Sequence, residues 1–182
     1  MPGLKARCGL AAALLLLTAA LPALAEREQP STPAERAKVV RLTRQLEADP
    51  IGPDSVAAQR WLVSWIQDVP DLTVTACDLL QLPDERYPYA PQLTVQMMAG
   101  NAAFQIENPA RADDKVAVQG AALKSALRAY GAIVKRKPAA RLDNLDRLLE
   151  QMKGGRLDQH MKALVAERCQ SQQTDDAGPD AI

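Results

Sequence analysis

Val116-Ala117-Val118-Gln119-Gly120-Ala121-Ala122-Leu123-Lys124-Ser125-Ala126-Leu127-Arg128-Ala129-Tyr130-Gly131-Ala132-Ile133-Val134 is the stretch whose spacing decides the fold. Val116, Leu123, Leu127, Tyr130 and Val134 step by +7, +4, +3 and +4. That is one face of an α-helix, not the alternation of a strand. The spacing predicts the longest helix of the chain, over about Arg111 to Arg136. Asp113-Asp114 fall in its first turn and Lys135-Arg136-Lys137 at its end, each where the helix dipole favours that charge. Pro138 forbids continuation.

The same periodicity recurs on both sides. Downstream, Leu142, Leu145, Leu148, Leu149 and Met152 mark a helix ended by Gly154-Gly155, and Leu157, Met161, Leu164, Val165 and Cys169 mark the last one. Upstream, Thr32-Pro33-Ala34-Glu35 combines a cap, an N1 proline and a capping-box glutamate, and Val39, Leu42 and Leu46 follow until Asp49-Pro50. Gly52-Pro53-Asp54-Ser55 opens a helix carrying Ala58, Trp61, Leu62, Trp65, Ile66 and Val69, with Trp61 and Trp65 one turn apart on one stripe. Asp71 can cap a further helix through Leu72, Ala76, Leu79 and Leu80, although the β-branched run Leu72-Thr73-Val74-Thr75 also suits an extended start. Leu82 to Pro91 is a proline-rich connector containing Tyr87-Pro88-Tyr89. A helix is predicted from about Tyr89 to Glu107, with Gly100-Asn101 a place for it to bend or break, and Asn108-Pro109 closes it. The expectation is an all-α, compact array of six or seven amphipathic helices, without a regular repeat.

Residues 1–25 read as a cleaved secretory signal peptide: basic Lys5 and Arg7, an apolar run from Leu10 to Leu21, and Ala23-Leu24-Ala25 as the cleavage site. The apolar run falls short of the roughly 20 residues that span a bilayer, and no other segment is long and apolar enough to enter one, so no membrane insertion is expected after cleavage. A frayed start over 26–31, a single helical domain over 32–170 and a disordered acidic tail over 171–182 complete the expected organisation. The whole chain balances 22 Lys+Arg against 22 Asp+Glu. Loss of Lys5 and Arg7 tips the remainder slightly acidic, which offers nothing to nucleic acid or anionic lipid.

Cleavage also removes Cys8, leaving Cys77 and Cys169 as a pair bound for an oxidising compartment. A Cys77–Cys169 disulfide is predicted, against the plainer alternative of two separate buried thiols. No metal or cofactor is expected, because two cysteines and one histidine lack ligand spacing.

Candidate chemistry is sparse. His160, with Glu167 two turns on, could serve as an acid–base group, but no nucleophile motif accompanies it. Asp143, Asp146 and Glu150 share a helix face, yet Arg141, Arg147 and Lys153 lie among them, the pattern of a salt-bridged, solvated face. Trp61 and Trp65 could line a ligand pocket, and as two of six aromatic residues they are first of all core volume. Tyr87 and Tyr89, in a proline-framed loop, are the more open candidates for a binding surface.

Leu46-Glu47-Ala48-Asp49-Pro50, Trp61-Leu62-Val63-Ser64-Trp65 and Ala103-Phe104-Gln105-Ile106-Glu107-Asn108-Pro109 resemble a family of small exported bacterial proteins of uncharacterised function. The resemblance covers roughly residues 41–109 and implies a bacterial origin and a periplasmic or secreted destination, but no activity and no catalytic residue. The reading that follows is a non-enzymatic, partner-binding or structural envelope protein, with protein as the expected partner. The alternatives are a small hydrolase or glycan-active enzyme using carboxylates, and a carrier with an apolar pocket near Trp61, Trp65 and Phe104.

Overall fold

The computed structural model describes residues 29–169 apart from Ala76, Asp84 and Glu85. The leader expected over 1–25 and the acidic tail expected over 171–182 lie outside the described residues. Among the described residues six α-helices follow one another: α1 (Pro33–Ala48), α2 (Ser55–Asp68), α3 (Ala90–Glu107), α4 (Lys115–Arg136), α5 (Asp143–Lys153) and α6 (Leu157–Arg168). Two single turns of 3-10 helix, Pro109–Arg111 and Pro138–Ala140, flank α4. No strand occurs among the described residues.

The helix ends follow local chemistry. Thr32 and Glu35 form the capping box of α1, with the Glu35 amide donating to Thr32 Oγ1 at 3.2 Å and the Thr32 amide donating to Glu35 Oε2 at 2.8 Å. The long helix begins later than its spacing suggests. Pro109–Arg111 takes the 3-10 turn first, and Asp114 then caps α4 by accepting from the Ala117 amide at 3.0 Å. Gly155, at φ 69°, takes the left-handed turn that separates α5 from α6.

The described residues between 71 and 80 form no helix, which corrects the helix expected from Asp71 through Leu80. The Asp71 carboxylate is engaged elsewhere. It accepts from the Ser31 amide at 2.9 Å, the Ser31 hydroxyl at 2.9 Å and Arg36 at 2.6 Å, fastening the start of α1. The next carbonyls are taken by side-chain amides of the neighbouring helices. Gln105 donates to Thr73 O at 2.9 Å, and Asn101 and Gln119 donate to Thr75 O at 3.0 and 2.8 Å. With those carbonyls bound by tertiary partners, the β-branched Thr73-Val74-Thr75 has no need of a helical ladder.

Gly100-Asn101 does not break its helix either, since α3 runs uninterrupted through both residues. Gly100 is there for close approach. A Cβ on it would lie 2.5 Å from Ser125 Cβ and 3.2 Å from the backbone Cα of Ala122, so the missing side chain lets α4 pack against α3. This pairing is the most extensive in the fold.

Helix α3 is buried on nearly every side and divides two apolar cores. One joins Val39, Leu42 and Leu46 of α1, Leu62 and Trp65 of α2, and Ala99 and Ala102 of α3. The other joins Leu93 and Met97 to Leu123, Leu127, Tyr130 and Ile133 of α4, with Leu145, Leu157, Met161 and Val165. Between them runs a polar seam. Gln96 donates to Thr43 O at 3.1 Å and to Ser125 Oγ at 2.7 Å, and Ser125 donates to Glu47 Oε1 at 2.7 Å. Arg44 and Arg128 pair with the same carboxylate at 3.0 and 2.7 Å. Burial pushes the Glu47 carboxyl up, but the Arg128 and Ser125 hydrogen bonds and the two guanidinium charges outweigh it and hold it below its ordinary range.

The predicted disulfide is present. Cys77 and Cys169 are bonded, with their Cα atoms 5.0 Å apart, and link the connection between α2 and α3 to the end of α6 across 92 positions of sequence.

Candidate functional site

The connector into α3 packs against the far end of α4. Tyr87 is buried and donates from its hydroxyl to Ala140 O at 2.8 Å, while Tyr89 meets its ring edge-on at 5.8 Å between centroids. The Ala140 carbonyl belongs to the Pro138–Ala140 turn, which the chain takes because Pro138 ends α4. These segments enclose an open cleft of about 390 Å³ lined by Tyr87-Pro88-Tyr89 and by residues 136–142. The two tyrosines singled out from sequence therefore share one wall, with Tyr87 as its anchored member.

The opposite wall is fixed by a second tyrosine system. Tyr130, fully buried in α4, donates to Asp146 Oδ1 at 2.8 Å and accepts from the Leu142 amide at 2.9 Å. Arg141 pairs with the other oxygen of the same carboxylate at 2.9 Å. Burial raises both phenols, Tyr87 and Tyr130, to about 12; nearby tyrosines and Asp146 add to the effect at Tyr87, and the Asp146 carboxylate adds to it at Tyr130. Burial also raises Asp146, but the Tyr130 and Arg141 hydrogen bonds prevail and keep its carboxylate ionised.

Three cations stand around this cleft: Arg136, Lys137 and Arg141. Arg136 is ion-paired with Asp49 and Arg141 with Asp146, both carboxylates lying outside the lining. Lys137 is exposed and has no salt bridge among the described residues. Sequence reasoning assigned Arg136 and Lys137 to the helix dipole and Arg141 to a solvated face. Their proximity in the run 135–141 was a visible signal, but its placement beside Tyr87 depends on a contact some fifty positions away, between Tyr87 and Ala140.

The remaining candidates are not brought together. Trp65 is buried in the α1–α2–α3 core, and Trp61 stacks on it at 6.3 Å with Lys38 Nζ 3.9 Å from its ring centroid. The cleft described above has none of Trp61, Trp65 and Phe104 in its lining, and neither does a second, larger cleft of about 880 Å³ beside the disulfide. His160 is exposed on α6, its Nδ1 3.1 Å from Arg156 O, and lines neither cleft. Asp143 and Glu150 are exposed while Asp146 is committed to Tyr130 and Arg141, so the three carboxylates of this face do not converge on one point. Among the described residues no group of three or more His, Cys, Asp or Glu could hold a metal ion. The second cleft carries charges of both signs, Asp71, Asp113 and Lys115, and Asp71 is already occupied by Ser31 and Arg36.

Comparison with protein families, curated proteins and solved structures finds no match for this chain.

Proposed function

We propose that this protein is an exported, periplasmic or secreted bacterial helical domain whose role is to bind another protein, with the Tyr87-Pro88-Tyr89 cleft as its recognition site. The observation that carries the reading is the pair of hydrogen bonds that fastens the walls of that cleft. Tyr87 is tied to Ala140, and Leu142 to Tyr130, so an aromatic and proline surface is held ready in the free protein. Preorganised aromatic surface with few rotatable groups lowers the ordering cost of association. The disulfide supports the destination, because such bonds persist in oxidising compartments. The sequence pattern of residues 1–25 supports it independently. The acid–base groups weighed for catalysis are dispersed: His160 lines neither cleft, and Asp146 is committed to Tyr130 and Arg141.

The test is site-specific photocrosslinking in the cell envelope. A benzophenone amino acid placed at Tyr89 should give a discrete protein adduct. The same group at Val56, an exposed position on α2, should not. Equal labelling from the two positions, or none from either, refutes the assignment of the site.

A further inference from the structure

Among the described residues the charged members of the Tyr87-Pro88-Tyr89 cleft are all of one sign: Arg136, Lys137 and Arg141 line it, and no described Asp or Glu does. Its other lining side chains among the described residues are tyrosine, proline, alanine and leucine. About 390 Å³ lies at the small end of ligand sites, with room for one or two side chains. An open cleft of that size leaves a long acyl chain in water.

We infer, building on the binding role proposed above, that the occupant is an acidic peptide segment of the partner protein. One aromatic or large apolar side chain seats against Tyr87, Pro88 and Leu142, and flanking carboxylates face the three cations. Lys137 is the principal anchor, because among the described residues it has no salt bridge to give up. Arg136 and Arg141 pair with their carboxylates through NH1 and Nε respectively, and a guanidinium carries five N–H donors, so each keeps donors for a second carboxylate. The resting ion pairs do further work. Asp49 and Asp146 hold the two guanidinium groups at the rim, so the site does not wait for long side chains to order.

Fluorescence anisotropy on the purified protein tests this with three labelled peptides: alternating aspartate and phenylalanine, alternating lysine and phenylalanine, and alternating aspartate and glycine. The aspartate–phenylalanine peptide should bind best. Its affinity should fall about ten-fold in Lys137→Glu, about five-fold in Lys137→Gln, and again as salt shortens the screening length. Tyr89→Ala should weaken it as well, without restoring the lysine peptide. The inference is overturned if the lysine peptide binds equally well, if the Lys137 variants bind as wild type, or if oligogalacturonate or phosphatidylglycerol vesicles compete more strongly than the acidic peptide. A protein adduct at position 89 without acidic-peptide binding would reject the ligand class and leave the binding role standing. Absence of both would reject the two together.

Discussion

Breaking the Cys77–Cys169 bond should move the melting temperature more than any single core truncation on α6. The bond closes a loop of 92 positions. Loop-closure entropy for that length is worth about 4–5 kcal/mol, a large share of a domain's net stability of about 5–15 kcal/mol. At roughly 3–4 °C per kcal/mol for a domain of this size, the double variant Cys77→Ser/Cys169→Ser should melt about 12–20 °C below the oxidised protein. The loss should also be uneven. Helix α5 buries only Leu145, and α6 only Leu157, Met161 and Val165. Once the bond is gone, the amides of the last turn of α6 should lose hydrogen-exchange protection first, and those of α3 and α4 last. Circular dichroism melts of oxidised, reduced and double-serine protein, with exchange measured by mass spectrometry, read both quantities. A double variant melting within about 3 °C of the oxidised protein would refute the loop-entropy reasoning, as would two reactive thiols in denatured, unreduced protein.

Tyr130→Phe removes the hydroxyl that serves both Asp146 and the Leu142 amide, and should cost about 1–3 kcal/mol in urea unfolding, a wild-type midpoint being the contrary result. Gly100→Ala drives a methyl group against Ser125 and the α4 backbone and should cost about 1–3 kcal/mol, whereas a helix limited by glycine's freedom would gain stability instead. Glu47, Asp71 and Asp146 are held below the ordinary carboxylate range, so the unfolded chain takes up protons first on acidification. Their contribution is full above that range and is lost as pH falls through it, so the urea midpoint should drop between about pH 5 and 3, and a rise there would contradict the assignments. On the alkaline side Tyr87 and Tyr130 are held up to about 12 while unfolded tyrosine ionises near 10. Stability should therefore decline from about pH 10 upward, and absorbance at 295 nm should show both phenols still protonated at pH 10.5 in the folded protein.

The helices with one apolar face and strong caps were legible in the sequence, because their signals are local. Thr32-Pro33-Ala34-Glu35 and Asp49-Pro50 bracket α1, and the observed helix runs between them. Helix α3 was harder to judge: buried on nearly every side, it has no polar stripe, and its glycine reads as a weak point until α4 is seen packed against it. The segment after Asp71 was ambiguous for a related reason. Its conformation is set by Asn101, Gln105 and Gln119, whose amides arrive from helices formed much later in the chain. The pairing of Cys77 with Cys169 followed from counting once Cys8 was assigned to the leader. Within the cleft, Tyr87 and Tyr89 were readable from their proline frame, but the cations opposite them were not. A basic run at a helix end has a sufficient local explanation in the dipole.

The seam through Glu47, Ser125, Gln96 and Thr43 has a consequence for alignment. An apolar interface between α1, α3 and α4 tolerates sliding, since one leucine or alanine replaces another at small expense. A slip of α3 by one turn would carry the Gln96 amide about 5.4 Å along its axis, away from Thr43 O and Ser125 Oγ. The Ser125 hydroxyl would lose its donor and the Thr43 carbonyl its amide, inside a dry interface. The seam thus acts as a key cut for a single lock position, and it gives two otherwise greasy cores one permitted alignment.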